Sequence, residues 1–362
     1  MKMFSKLFGF NDIGIELGAA NMRVWIKGEG VVLDEPAAVT LEVPVEEEES
    51  SAAEHQKQQN FDRHVKHRVL AIGAASGDQL GKTPGNMVVA RPFMGGVICD
   101  RDITEKMLRY CITKVNRSKF RKPRLIIAVP NDITEVEKRV LEDAAHSAGA
   151  REVFLIESTV AAAIGAGLPV SEPQGCMIMD IGASMTKISV ISLVGIVHDR
   201  ILRVGGDEMD KDIAAYLRNK YNLVIGEREA EDIKIKIGTA CKPATELDYK
   251  IEGIDATEGR RFAVTINSRE IREEALAETL GQIEGVLKDT LVHTEPELVA
   301  GILDSGLVLT GGGALLLGLD KRLADATGLP VRMADNPAQA TILGVSVVIN
   351  ELDFLSKNAT KR

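Results

Sequence analysis

Between Asp12 and Lys27 the chain alternates apolar and polar positions, through Ile13-Gly14-Ile15-Glu16-Leu17 and again through Val24-Trp25-Ile26. That period predicts a β-hairpin with the small residues Gly18-Ala19-Ala20-Asn21 at its tip. The same device returns where Met177–Ile181 and Ile188–Leu193 flank the turn Gly182-Ala183-Ser184-Met185-Thr186. Continuous apolar runs at Leu125–Val129 and Val153–Ile156 predict buried strands, and Gly306–Thr310 predicts a strand running into Gly311-Gly312-Gly313 and then a helix. Helical spacing marks Thr104–Asn116, Thr134–Ser147, Thr159–Ala166, Glu208–Tyr221, Glu227–Gly238 and Arg269–His293, with a strand pair expected within Glu246–Ile266. Thr134 and Glu137 stand three apart at a helix start, the spacing of a capping box.

Strand–helix alternation with two related hairpins implies an α/β protein of two similar lobes facing each other across a cleft. The length of 362 residues accommodates two such cores. A hydrophobic content of 45% supports folding, and a net charge of −9 argues against sequence-independent nucleic-acid binding. Cys99, Cys111, Cys176 and Cys241 have neither CxxC pairing nor metal-ligand spacing, and read as free thiols of a reducing cytosol. No apolar run reaches the roughly 18 residues that span a bilayer, and no signal peptide is legible, so a cytoplasmic protein is expected. The stretch Glu46–His67 holds four consecutive glutamates and almost no apolar residues, which predicts a solvated insertion.

The hairpin tips carry the candidate chemistry. A triphosphate needs converging backbone N–H donors and little side-chain bulk, which Gly and Ala at a turn supply. A carboxylate closing the preceding strand, Glu16 in one lobe and Asp180 in the other, could hold a hydrated Mg²⁺. Gly311-Gly312-Gly313-Ala314 would let backbone lie against a nucleoside. In the helix Glu227–Gly238, Glu231 and Lys234 share a face suited to ribose and adenine, with Asp232 and Ile233 between them. Lys187 is expected to point from its strand to solvent, the alternative being that its charge offsets missing phosphate contacts. Two lures are set aside. Ser76–Thr83 nearly spells a P-loop but lacks its first glycine, and Pro84-Gly85 follow where a helix must start. His64 and His67 lack ligand partners at metal spacing.

In order along the chain, DIGIELGAAN (Asp12–Asn21), GEGVVLDEPA (Gly28–Ala37), RPFMGGVICD (Arg91–Asp100), AGAREVFLI (Ala148–Ile156), RVGGDEM (Arg203–Met209), Tyr221–Gly238 and Gly306–Leu319 closely resemble the MreB-type bacterial actins of the actin–Hsp70–sugar kinase superfamily. The likeness implies an actin-like fold of four subdomains: IA (1–36, 70–152, 331–362), IB (37–69), IIA (153–203, 266–330) and IIB (204–265). It further implies ATP with Mg²⁺ in the interlobe cleft and self-assembly into protofilaments along the inner membrane. Partners of the RodZ, MreC and MreD kind, or a standard MreB paralogue, are expected. The departures lie where the family hydrolyses ATP: Glu16 for Asp, Ala19 for Thr, Ser158 for a catalytic Glu, and Ala183-Ser184-Met185-Thr186-Lys187 against GGTTE after Gly182. A lost general base costs about 10²–10⁴ in rate, so slow turnover is expected.

Met3, Phe4, Leu7 and Phe8 share one face of a helix, as in the lipid-inserting terminal segment of this family, and Phe120 among the cations Arg117–Lys122 is a second membrane contact. The alternatives are a non-filamentous nucleotide-gated adaptor of the pilus-assembly kind, or an active ATPase of the same superfamily.

Overall fold

Alternation at the start of the chain folds as expected into strands β1 (Asp12–Leu17) and β2 (Asn21–Ile26), extended by β3 (Gly30–Pro36). A computed structural model describes residues 12–42, 68–79, 83, 86–93, 101–116 and 122–359, with side chains as far as Glu351. The chain divides into two compact units, Met1–Ala161 with Ile342–Arg362, and Ala162–Thr341.

In the first unit, β4 (Val39–Glu42) is flanked by β5 (Arg68–Ile72) and β6 (Met87–Ala90) in a small antiparallel sheet. The small sheet therefore reaches past the boundary expected at residue 69. Helix α1 (Arg101–Val115) leads to β7 (Arg124–Val129), α2 (Glu135–Ala148), β8 (Glu152–Glu157) and α3 (Ser158–Gly165). The main sheet runs β3-β2-β1-β7-β8, antiparallel among its first three strands and parallel from β1 onward. The pairing of β8 with β7 places 153–161 in this unit, not in the second lobe as expected. The capping box of α2 is complete: Thr134 Oγ1 accepts from Glu137 N at 3.2 Å, and Glu137 Oε2 accepts from Thr134 N at 2.9 Å. Across the β1–β7 ladder, Arg124 grips its register partner Asp12 with two parallel bonds of 2.8 and 2.7 Å, both side chains almost wholly buried.

The second unit repeats the plan. Strands β9 (Cys176–Ile181), β10 (Thr186–Ser192) and β11 (Gly195–Leu202) precede α4 (Gly206–Tyr221), β12 (Leu223–Val224) and α5 (Glu227–Ile237). Then come β13 (Asp248–Asp255), β14 (Arg261–Asn267), α6 (Ala277–Val292), α7 (Pro296–Ser305), β15 (Leu307–Thr310), α8 (Leu319–Thr327) and β16 (Val331–Met333). The main sheet is ordered β11-β10-β9-β15-β16, the first unit's pattern again, and β12-β13-β14 form a small second sheet. Because β16 pairs with β15, residues 331–341 stay in this unit and not, as expected, in the first.

One expected helix is broken. Arg269–His293 opens with a wide turn at Ile271–Ala275, where Leu276 N bonds Ile271 O, before α6 begins. At that turn the buried Arg272 donates to Glu246 at 2.9 Å and to Thr239 at 3.1 Å. A final helix, α9 (Ala340–Ala359), returns to the first unit, where Ile342, Val345 and Ile349 pack on Trp25, Ile126 and Ala161. Among the described residues, no helix is long and apolar enough to cross a membrane.

Candidate functional site

The second unit's turn is built by three neighbours. Gly182 N donates to Met185 O at 2.9 Å, closing the turn on itself. The carbonyls of Gly182 and Ala183 accept from Gly206 N (3.0 Å) and Asp207 N (2.8 Å), the first residues of α4. A trans peptide points its C=O and the next N–H in opposite directions, so the N–H groups of Ala183 and Ser184 project away from that helix. Two successive donors aimed the same way make a concavity suited to phosphate oxygens. Contact this close requires glycine at 205, where a Cβ would lie 2.5 Å from Gly182 O and 2.6 Å from Ala183 O.

Thr310, on β15, stands opposite Asp180 on the parallel strand β9, which brings the carboxyl ends of both strands together. Ligands of α/β sheets bind at such ends. Gly311 follows with φ +82°, and a Cβ there would sit 2.3 Å from Ile181 O and 2.6 Å from Asp180 Oδ1. Gly312 is exposed, Gly313 abuts Ile181, and Ala314 is buried. Met185 and Thr186 both turn inward, Thr186 Oγ1 donating to Val204 O at 2.8 Å. Their side chains brace the turn from within.

On α5, Lys234 reaches across to α4, with Nζ 2.8 Å from Asp210 Oδ2 and 3.0 Å from Gly206 O. Burial pushes the Asp210 carboxyl up to about 6 against the opposing pull of Lys234. Glu231 is exposed and Asp232 pairs with Lys236 at 3.0 Å. Ile233 is fully buried in the unit's core, which removes its side chain from the expected ligand face. The structure thus gathers Asp180, the 182–186 turn, Gly311–Gly313 and, through Gly206, Lys234.

The first unit holds the matching turn. Gly18 N donates to Asn21 O at 2.9 Å, the same bond as in the second unit, and Ala20 O accepts from Ala37 N at 2.8 Å; Ala19 lies between. Glu16 sits directly across the ladder from Arg23, with Oε1 3.2 Å from Nη1, and Arg23 Nε lies 3.1 Å from Asp34 Oδ2. With the Asn21 amide oriented to satisfy its neighbours, its oxygen accepts from Arg23 Nη2 at 3.3 Å. Burial works to lower the Arg23 pKa, yet Glu16 and Asp34 raise it above its ordinary value. Ser158 starts α3 and is buried, and the neighbouring Thr159 donates to Asn131 Oδ1 at 2.9 Å.

Lys187 does not point to solvent. It stands opposite Asp180 in the β9–β10 ladder and is only 9% exposed. Arg23, Asp34, Asp210 and Gly205 had no assigned role in the sequence reading. The available signal for Arg23 was a single cation between the apolar Met22 and Val24 of one strand. Ser76, from the P-loop-like stretch, accepts instead from Thr40 N at 3.0 Å inside the first unit. Cys111 and Cys176 are free and buried, and Cys241 is partly so. Among the described residues no group of three or more His, Cys, Asp or Glu side chains is placed to hold a metal. Met3, Phe4, Leu7, Phe8, Phe120, Cys99, the acidic insertion and the His64–His67 pair lie outside the described residues.

Two units of one topology, each ending a strand in a carboxylate and a small-residue turn, match solved actin-like proteins. The crystal structure of MreB 5 of Spiroplasma citri bound to AMPPNP superposes with a TM-score of 0.85 at 30% identity, over 97% of this chain and 99% of that one. The fold is actin-like. The cell shape-determining protein Mbl of Bacillus subtilis is 41% identical over 96% of this chain and 98% of its own. The cell shape-determining protein MreB of Escherichia coli is 41% identical over 98% and 97%. The MreB/Mbl protein family model matches residues 10–357, and the chain belongs to that family.

Proposed function

We propose that this chain is an ATP-binding cytoskeletal subunit that self-assembles into filaments on the inner face of the cell membrane and helps to determine cell shape. The observation that carries the reading is the second unit's backbone cradle. Two N–H groups face away from α4, Gly311 and Gly313 leave room at the strand ends, and Asp180 lies beside them. The first unit repeats the turn bond for bond at Gly18–Asn21. The nucleotide-bound state of MreB 5 and the shape-determining role of Mbl and MreB support the same conclusion by family membership.

Hydrolysis in this subunit is slow. Ser158, which replaces the family's catalytic Glu, carries no carboxylate to draw a proton from water, and its buried place at the start of α3 makes it a structural position. Nucleotide then acts mainly as an assembly ligand. The subunit is read as four subdomains, IA (1–36, 70–152, 331–362), IB (37–69), IIA (153–203, 266–330) and IIB (204–265), with the boundary shifts described above. The apolar face of Met3, Phe4, Leu7 and Phe8, aided by Phe120, attaches the filament to lipid, and proteins of the RodZ, MreC and MreD kind or a standard MreB paralogue are its partners.

Electron microscopy of the purified protein with ATP on anionic liposomes tests the proposal. Membrane-bound filaments are the expected outcome. Nucleotide binding without filaments on or off lipid would instead favour the adaptor reading, and phosphate release at a rate ordinary for family members would overturn the claim of slow turnover.

A further inference from the structure

Lys234 meets the second unit's turn through α4. Its ammonium donates to Gly206 O at 3.0 Å and to Asp210 Oδ2 at 2.8 Å. Gly206 opens α4, and the same stretch of backbone gives its N–H groups to the turn, Gly206 N to Gly182 O and Asp207 N to Ala183 O. Gly206 therefore carries two bonds of opposite sense, accepting from α5 through its carbonyl and donating to the turn through its N–H. The approach depends on the missing side chain, since a Cβ there would stand 3.3 Å from Lys234 Nζ. Every group in this arrangement belongs to the one unit Ala162–Thr341.

Stability alone gives little reason for a lysine here. A cation beside the first turn of a helix faces the positive end of the helix dipole. The side chains of Lys234 and Asp210 are only 15% and 12% exposed, and desolvation takes back much of what such a pair gains. Asp210 Oδ1 is also buried without a hydrogen-bond partner. What the pair does fix is position. The bonded ammonium holds Gly206 at one height against α5, and the carbonyls of Gly182 and Ala183 follow through the N–H groups bonded to them. Those carbonyls share their rigid peptides with the N–H groups of Ala183 and Ser184, so the outward donors are aimed before any anion arrives. Donors set in advance bind an anion without an ordering cost.

We propose that Lys234, held by Asp210, is a positioning residue for phosphate, acting through Gly206 and the Gly182–Ser184 turn rather than by touching the nucleotide. The inference rests on the nucleotide-binding reading above. Burial, opposed by Lys234 and assisted by Glu231 and Asp207, pushes the Asp210 carboxyl up to about 6, so its hold on Lys234 is full at neutral pH and weakens in acid. Hydrogen exchange and nucleotide titration of the full-length protein test the assignment. Without nucleotide, Lys234→Met should speed exchange at the amides of Gly182, Gly206 and Asp207 by about tenfold, the loss expected for a bond to a charged group. With the fluorescent analogue mant-ATP at about pH 7.5, Lys234→Met should weaken binding by about tenfold and Asp210→Asn by about fivefold, and the double variant should be no weaker than Lys234→Met. The parent's advantage over Asp210→Asn should shrink to within about twofold near pH 5, a comparison in which the protonation of ATP itself cancels. Lys234→Leu replaces the first variant should it fail to fold, as read by circular dichroism, and should shift in the same direction. Weakened binding with unchanged exchange at the turn would mean that Lys234 touches the nucleotide, and would overturn the inference while leaving nucleotide binding intact. Additive losses in the double variant, or a parent advantage independent of pH, would overturn it too. A parent protein that fails to bind mant-ATP would overturn the nucleotide reading and the inference with it.

Discussion

Replacing Gly311 by alanine should damage both folding and nucleotide binding, whereas the same change at Gly312 should do neither. Gly311 has φ +82° and ψ 165°, a region essentially confined to glycine that costs a residue with a side chain about 1–3 kcal/mol. The added Cβ would also lie 2.3 Å from Ile181 O and 2.6 Å from Asp180 Oδ1. An ordinary carbon–oxygen contact is about 3.3–3.6 Å, so the ends of β9 and β15 must part by about 1 Å. Overpacking of that kind costs about 1–3 kcal/mol, giving about 2–6 kcal/mol in all. Gly312 has no heavy atom within 4 Å of a built Cβ, and Gly313 is intermediate, its nearest obstacle being Ile181 Cγ2 at 2.3 Å. In a unit of this size 1 kcal/mol moves the melting temperature by about 2–4 °C, so Gly311→Ala should melt roughly 4–24 °C lower. Thermal unfolding by circular dichroism, with mant-ATP titration of the same samples, reads both effects. Equal melting temperatures and affinities for the 311 and 312 variants would refute the close approach of the triplet to Asp180.

Arg124→Met should cost about 3–5 kcal/mol in urea unfolding by stranding the buried Asp12, and pairing it with Asp12→Leu should recover most of the loss; a double variant as unstable as the single would contradict the account. Burial would raise the Glu270 carboxyl, but bonds from Tyr221, Tyr216 and Lys220 bring it down from 4.5 to about 2. Its stabilisation is therefore complete above pH 4.5 and lost as pH falls toward 2, and Glu270→Gln should flatten that acid limb in pH-dependent unfolding. Asp210 has the opposite sign: raised from 3.8 to about 6, it binds its proton more tightly when folded, so its contribution to stability declines as pH rises from 3.8 to 6. Asp210→Asn should abolish that slope, and an unchanged slope would place the titration elsewhere. Thr134→Ala should lower stability by about 1 kcal/mol through loss of the α2 cap, measured by the urea midpoint.

Period and turn chemistry made most of the elements legible. Alternation located β1, β2, β9 and β10, and the Thr134–Glu137 spacing located the α2 cap to the residue. Unit boundaries were less legible because strand pairing is long-range: nothing local in Val153–Ile156 says that it pairs with β7, nor in Val331–Met333 that it pairs with β15. The break at Ile271–Ala275 was hidden for a similar reason, since it coincides with bonds from Arg272 to residues far back in the sequence. At the candidate site, the glycines stood out because a phosphate needs open backbone donors, and Glu16 and Asp180 because a hydrated metal needs carboxylates. The inward aim of Lys187 was not legible, because a polar residue in a strand reads as solvent-facing until the packing around it is known. Helical spacing singled out Lys234 but could not show that it ties α5 to the α4 residues that carry the turn, since those contacts lie far apart in sequence.

The first unit is assembled from both ends of the chain, and that has a consequence for synthesis. A ribosome delivers the whole of Ala162–Thr341 before it delivers the helix that closes the first unit. That helix packs directly on β1: a Cβ at Gly14 would meet Val345 at 2.7 Å and Ile349 at 3.2 Å, and Ile342 joins the same cluster with Trp25. The nascent second unit can therefore bury its core while the first still exposes Trp25, Ile126 and Ala161 to solvent or to a chaperone. The Glu16 turn springs from the strand that waits for this helix, so that turn gains its final support only after Ala162–Thr341 has been made. A chain released early would carry a finished second turn on an unfinished partner, and quality-control proteases would meet it as an exposed apolar sheet.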